Sequence, residues 1–276
     1  MTPISIAFSP CPNDTFLFHA WATGRIAKQF PIQPVLADIQ NLNEWALQSK
    51  YPLIKISMSC LGHILDDYHL LPVGCALGYG VGPKLIAKKG LQLDQLSGCT
   101  VAIPGKSTTA GLLYDWLLPK PAKKVFSTYD QIAPMIASGQ VDAGVIIHET
   151  RFTFQNLGLE EIADLGQLWE VKYKMPLPLG GIAMRRDLSQ ETQRGWIKAL
   201  QESLLFAWLN PQASANYVLK FSQEKNPKVV GQHISTYVTQ ETFQLSSAGI
   251  SSIDTFLKLA REKGQIPANP LPWMAE

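Results

Sequence analysis

The chain has 276 residues, 46% of them hydrophobic and 17% charged, with a formal net charge of +2. That length and apolar content suffice for one large core or two modest ones, and favour two lobes. The near-balanced charge, with lysines scattered along the chain, argues against a nucleic-acid or membrane surface. The four cysteines (Cys11, Cys60, Cys75, Cys99) show no metal-ligand spacing and read as reduced core residues, with Cys11 the one placed where chemistry is near.

The N-terminus shows no charged segment followed by an apolar core and cleavage site, and no apolar run approaches a membrane span, so a cytoplasmic location is expected. ISIAF opens the chain as a strand, with Ile4, Ile6 and Phe8 alternating. The turn SPCPNDTF follows and leads into a helix, with Asn13, Asp14 and Thr15 at its N-terminus, where free backbone N–H groups favour an anion. Strands PIQPVLAD and PLIKIS then alternate with helices NLNEWALQS and SCLGHILDDY. Asn41 with Glu44 resembles a capping box at the start of the first of these helices. Such alternation implies parallel βα units, with ligands at the carboxyl ends of the strands.

Extended segments LLPVGCALG and VGPKLIAKK come next. LSGCTVAIPGKSTTAGLLYDWLL then restarts the pattern of strand, polar turn and helix, and KVFSTY, DQIAPMIASGQ and DAGVIIH continue it. After a loop-rich stretch, PLPLGGIAMRRDL returns as an extended path, and the chain beyond Ser189 is almost wholly helical. The expectation is an α/β protein with a discontinuous larger lobe, 1–92 and 184–276, and a smaller lobe, 93–183. Two crossings make a hinge, and the region between lobes is a favoured small-molecule site. This arrangement, and the pair LSGCTVAIPGKSTTAGLL and IASGQVDAGV, resemble the type II periplasmic-binding-protein fold.

Polar residues gather at strand ends: Asn13, Asp14 and Thr15; Lys55, Ile56 and Ser57; Ser107, Thr108, Thr109 and Ala110. GKSTTA lacks phosphate-loop spacing, so nucleotide binding is not expected. Lys55, ending an apolar strand, calls for an anionic partner, either a ligand or Asp38. His148 follows Val145-Ile146-Ile147 and is the group suited to proton transfer near neutrality. His19, His63, His69 and His233 fit structural roles, and no two histidines have zinc spacing.

SPCPNDTF, LPLGGIAMRRDL and GVIIHETRFTF, with LNEWAL, ALGYGVGP and PGKSTTA, resemble in order the 1,4-dihydroxy-6-naphthoate synthases of the futalosine route to menaquinone. The resemblance implies a lyase of periplasmic-binding-protein fold, acting without metal or organic cofactor on cyclic dehypoxanthine futalosine, a small-molecule carboxylate. It implies that His148 is the proton acceptor. It also implies that Lys55 to Ser57 and Thr109 with Ala110 touch substrate; Ser107 and Asn13 to Thr15 join them as candidates from their positions. Tyr79 departs from the family, where a basic residue is expected in the ALG-x-GVGP turn. The competing reading is a non-catalytic cytoplasmic binding protein for a small organic acid, which would not need His148.

Overall fold

The computed structural model describes residues 2–106, 108–268 and 271–275. It forms two compact units, Met1–Leu77 with Pro178–Glu276, and Gly78–Leu177. Strand β1 (Ile4–Phe8), helix α1 (Pro12–Ala22), β2 (Ile32–Leu36), α2 (Ile39–Leu47), β3 (Leu53–Ser57), the short α3 (Met58–Leu61), β4 (Tyr68–Leu70) and β5 (Ala76–Gly78) open the first unit. The second unit carries β6 (Lys84–Lys88), β7 (Thr100–Ile103), α4 (Thr109–Leu117), β8 (Lys123–Phe126), α5 (Tyr129–Ser138), β9 (Ala143–Ile146), β10 (Leu159–Asp164) and α6 (Leu165–Tyr173). The chain then returns through β11 (Leu177–Arg185) to α7 (Gln190–Leu209), α8 (Pro211–Phe221), α9 (Pro227–Tyr237), α10 (Gln240–Phe243) and α11 (Ser247–Glu262).

The first sheet runs β2-β1-β3-β11-β4, with β5 beside β11. β1 lies parallel to both β2 and β3, whereas β11 is antiparallel to β3 and β4. Nine of the eleven residues of α1 are buried, including Asp14 and Thr15, so this helix is interior rather than amphipathic. Phe18 stacks on Phe8 at 4.2 Å between ring centres, and Trp21 meets Trp196 of α7 edge-on at 6.2 Å. These aromatic contacts tie the first βα unit to the C-terminal helices. The second sheet runs β10-β6-β9-β7-β8, with β7 parallel to β8 and β9, and its core gathers Ile86, Ala102, Ile132, Ile136 and Ile146.

The expected lobe boundaries at 92/93 and 183/184 differ from the divisions at 77/78 and 177/178. β6 is paired on both sides within the second sheet, to β9 and β10, so Lys84–Lys88 does not belong with the first. The crossing falls instead in GYGVGP, where Gly80 has φ +62° and a Cβ on Gly82 would lie 2.5 Å from the backbone nitrogen of Gly166. Pro178 to Arg185 likewise run inside β11 of the first sheet.

Three local expectations are corrected. α2 begins at Ile39 with Asp38 as its cap, accepting from the Gln40 N–H at 2.8 Å, so Asn41 lies inside the helix. SCLGHILDDY is helical only to Leu61. The loop-rich stretch contains β10 and α6, concealed because β10 pairs with β6 through a register shift between Glu161 and Ala163, which breaks the strand alternation.

Candidate active site

In the first unit, the parallel pairing of β1 with β3 puts the ends of these strands side by side. From β1 the chain turns at Ser9 into α1, whose cap is Cys11, with Pro12 and the expected Asn13, Asp14 and Thr15 in its first turn. Asp14, 1% exposed, then meets Lys55 of β3 at 2.9 Å. The same carboxylate accepts from the Ser9 hydroxyl at 2.6 Å, the Ser9 N–H at 3.3 Å and the Asn13 amide at 2.8 Å. Lys55 therefore has a protein partner that is neither ligand nor Asp38, which is occupied in capping α2. An ammonium carries three N–H bonds, and its one contact among the described residues, with Asp14, leaves donors for a second anion.

Strand alternation turns Lys55 and Ser57 to one face and Ile56 to the other. Ile56 is fully buried, so its side chain is a core element. Ser57 is held by Asn43 of α2: the Asn43 amide donates to the Ser57 hydroxyl at 2.8 Å, and the Ser57 N–H donates back at 3.0 Å. The Ser57 hydroxyl also lies 3.0 Å from that of Ser59. Asn43 was missed as an orienting residue, although it sits in the LNEWAL motif. Thr15, a candidate contact, donates its hydroxyl to the Cys11 carbonyl at 2.9 Å inside α1, which commits its proton to the helix.

The second unit repeats the device. β7 and β9 are adjacent and parallel, so the turn into α4 and the turn carrying His148 leave neighbouring strand ends. Thr108 caps α4, accepting from the Gly111 N–H at 3.2 Å, and Thr109 and Ala110 form the first helical turn, both buried. Ser107 lies outside the described residues. His148 opens a 3-10 turn, His148–Phe152, directly after β9. Its φ is +58°, a left-handed conformation that costs a non-glycine residue about 1 kcal/mol or more and persists only where its surroundings enforce it. Its ring meets that of Tyr129 edge-on at 4.5 Å.

The turn that carries His148 is pinned by a buried ion pair. Arg151 donates to Asp164 at 3.0 Å, and Asp164 also accepts from the Gly166 and Gln167 N–H groups at the start of α6. Burial pushes the Asp164 carboxyl up in pKa, and Arg151 and the two N–H groups oppose that push. Burial also raises the thiols of Cys60 and Cys75 to about 12 and that of Cys99 upward, which removes all three from thiolate chemistry near neutral pH. None of the described helices is long and apolar enough to cross a membrane.

A family described as menaquinone biosynthesis matches residues 4–262. A 1,4-dihydroxy-6-naphthoate synthase of Thermus thermophilus is 39% identical over 272 residues, covering 99% of each chain. A crystal structure of a protein from Archaeoglobus fulgidus superposes with a TM-score of 0.90 at 32% identity, covering 96% of this chain and 98% of its own. The alkanesulfonate-binding protein SsuA from Xanthomonas axonopodis, crystallised with MOPS, shares the fold, with a TM-score of 0.75 at 14% identity over 100% of this chain and 99% of its own. The α/β periplasmic-binding-protein-like architecture is thus established by structure as well as by sequence pattern.

Proposed function

The chain belongs to the menaquinone-biosynthesis family of 1,4-dihydroxy-6-naphthoate synthases, and on that premise we propose that it converts cyclic dehypoxanthine futalosine to 1,4-dihydroxy-6-naphthoate with His148 as general base. As a lyase it must break a carbon–carbon bond while a partly saturated bicycle becomes aromatic. Aromatisation supplies the driving force, so the protein's task is to hold the substrate and remove a proton from a carbon that bears or adjoins an oxygen function. A neutral imidazole is suited to that step near pH 7. The electron pair left behind completes the ring as the bond to the sugar-derived fragment breaks; the fragment departs with the bonding pair and takes up a proton, which the His148 imidazolium can return.

The observation that carries this reading is the backbone of His148. A histidine in a left-handed conformation at a strand's carboxyl end, pinned three residues later by a buried ion pair, is a costly arrangement for a merely structural side chain. The remaining roles follow from chemistry. Lys55, with Asp14 fixing one of its N–H bonds, offers the others to the substrate carboxylate. Ser57, oriented by Asn43, and the first turn of α4 with Thr109 and Ala110 supply neutral donors. Incubation of the purified protein with cyclic dehypoxanthine futalosine tests the reading: a naphthoate absorbance should appear with turnover. Saturable binding of that compound without any new chromophore would assign the chain to the binding-protein class instead.

A further inference from the structure

Asn13 reads from sequence as a substrate contact, and His233 as a bland residue of a C-terminal helix. The two side chains touch. His233 Nε2 of α9 lies 3.0 Å from Asn13 Oδ1, across 220 positions of sequence. Asn13 Nδ2 lies 2.8 Å from Asp14 Oδ1, which is also the oxygen that Lys55 approaches at 2.9 Å.

The donors and acceptors in this chain can run only one way. A carboxylate paired with an ammonium accepts and does not donate, so the nitrogen of the Asn13 amide must face Asp14. The amide oxygen then faces His233, and it can only accept. His233 therefore carries its proton on Nε2. The sequence of bonds is His233 to Asn13, Asn13 to Asp14, with Lys55 and Ser9 donating into the same carboxylate from other sides.

His233 is 2% exposed, and its ring packs on Tyr237 at 4.9 Å, so the donor is held rigidly. With that donor gone, Asp14 still selects the same amide orientation, but Asn13 is held at one end only and can swing off the carboxylate. Asp14 then loses a donor that fixes it, and the Lys55 ammonium loses its fixed partner.

We propose that His233 is a positioning residue for substrate binding: through Asn13 it fixes Asp14, and through Asp14 it aims the Lys55 ammonium. This rests on the reading that Lys55 binds the substrate carboxylate. It predicts an effect on binding and not on the proton-transfer step, because none of the bonds that link His233 to Lys55 runs through His148.

The test is a comparison of KM and kcat for His233→Phe, His233→Gln, Lys55→Gln and the double variant His233→Phe/Lys55→Gln. His233→Phe keeps the ring but loses the donor, and should raise KM about 3- to 10-fold, the value of one orienting hydrogen bond, with kcat within about 2-fold of wild type. His233→Gln restores an N–H donor and should return KM to within about 2-fold. In the double variant the loss of His233 should add nothing to the KM of Lys55→Gln, because its effect runs through Lys55. A structural histidine gives a different pattern: unchanged KM in a folded His233→Phe, or effects that multiply in the double variant, and either overturns the proposal. Should Phe disturb the packing, His233→Met reads the same split. If Lys55→Gln itself leaves KM unchanged, the binding role of Lys55 fails and the proposal falls with it. An effective Lys55→Gln beside a silent His233→Phe rejects the positioning role alone.

Discussion

Lys55 and Asp14 show how a buried charge is held in place. An isolated ammonium at 6% exposure is costly to bury, and the Asp14 carboxylate at 2.9 Å offsets that cost. Truncating Lys55 to alanine would strand Asp14 without its counter-charge, so the cleaner variant is Lys55→Gln, which keeps a donor. That variant should raise KM by about 10-fold or more, the value of a charge-assisted contact to a carboxylate. Unchanged KM with lowered stability would make Lys55 a structural partner of Asp14 only. His69 supplies a second residue-scale prediction. Its Nε2 is buried without a hydrogen-bond partner, and burial, with Arg186 nearby, lowers its pKa from 6.5 to about 4. The unfolded chain takes up the proton first, so stability is full above pH 6.5 and falls as pH drops toward 4. Burial likewise lowers His19 and His63, which act in the same direction. Between pH 7 and 4, His69→Gln should lose less stability than wild type, by on the order of 3 kcal/mol in urea unfolding. Parallel pH profiles for the two proteins would show that His69 does not titrate in this way. The sequence could flag Lys55 as needing a partner, but it could not choose Asp14 over Asp38. That choice depends on β1 and β3 lying parallel and adjacent, which is a long-range fact.

At the scale of elements, the 3-10 turn after β9 depends on Asp164, which does two jobs. It neutralises Arg151 and caps α6. Asp164→Ala takes the carboxylate away from a buried guanidinium and removes the cap, a combined loss of about 3–5 kcal/mol. Denaturant unfolding measures it, and a loss below about 1 kcal/mol would show that Arg151 finds water or another acceptor. The GVIIHETRFTF motif showed Arg151 in the sequence but not its partner, because β10 was not legible. Its pairing with β6 is irregular and its central residues are partly exposed, so the period-two signal is lost. The strands and helices that bury a clear face, such as β1, β7 and α7, were legible for the opposite reason.

On the scale of the whole molecule, each unit builds its candidate cluster in the same way, at the carboxyl ends of two adjacent parallel strands. The sequence announced this through repeated strand, polar turn and helix. It misplaced the crossings because strand β6 looks like a continuation of the first unit until its pairing is seen. The glycines of GYGVGP carried the correct signal, since close backbone packing at Gly82 excludes a side chain. The central claim is that this family member works through His148, and single-turnover kinetics on cyclic dehypoxanthine futalosine test it most directly. His148→Asn is the variant of choice, because asparagine tolerates the left-handed backbone that this position requires. With enzyme in excess at saturating concentration, the naphthoate absorbance should form about 10²- to 10⁴-fold more slowly in folded His148→Asn than in wild type. A rate within a few-fold of wild type would contradict the assignment of His148 as the base.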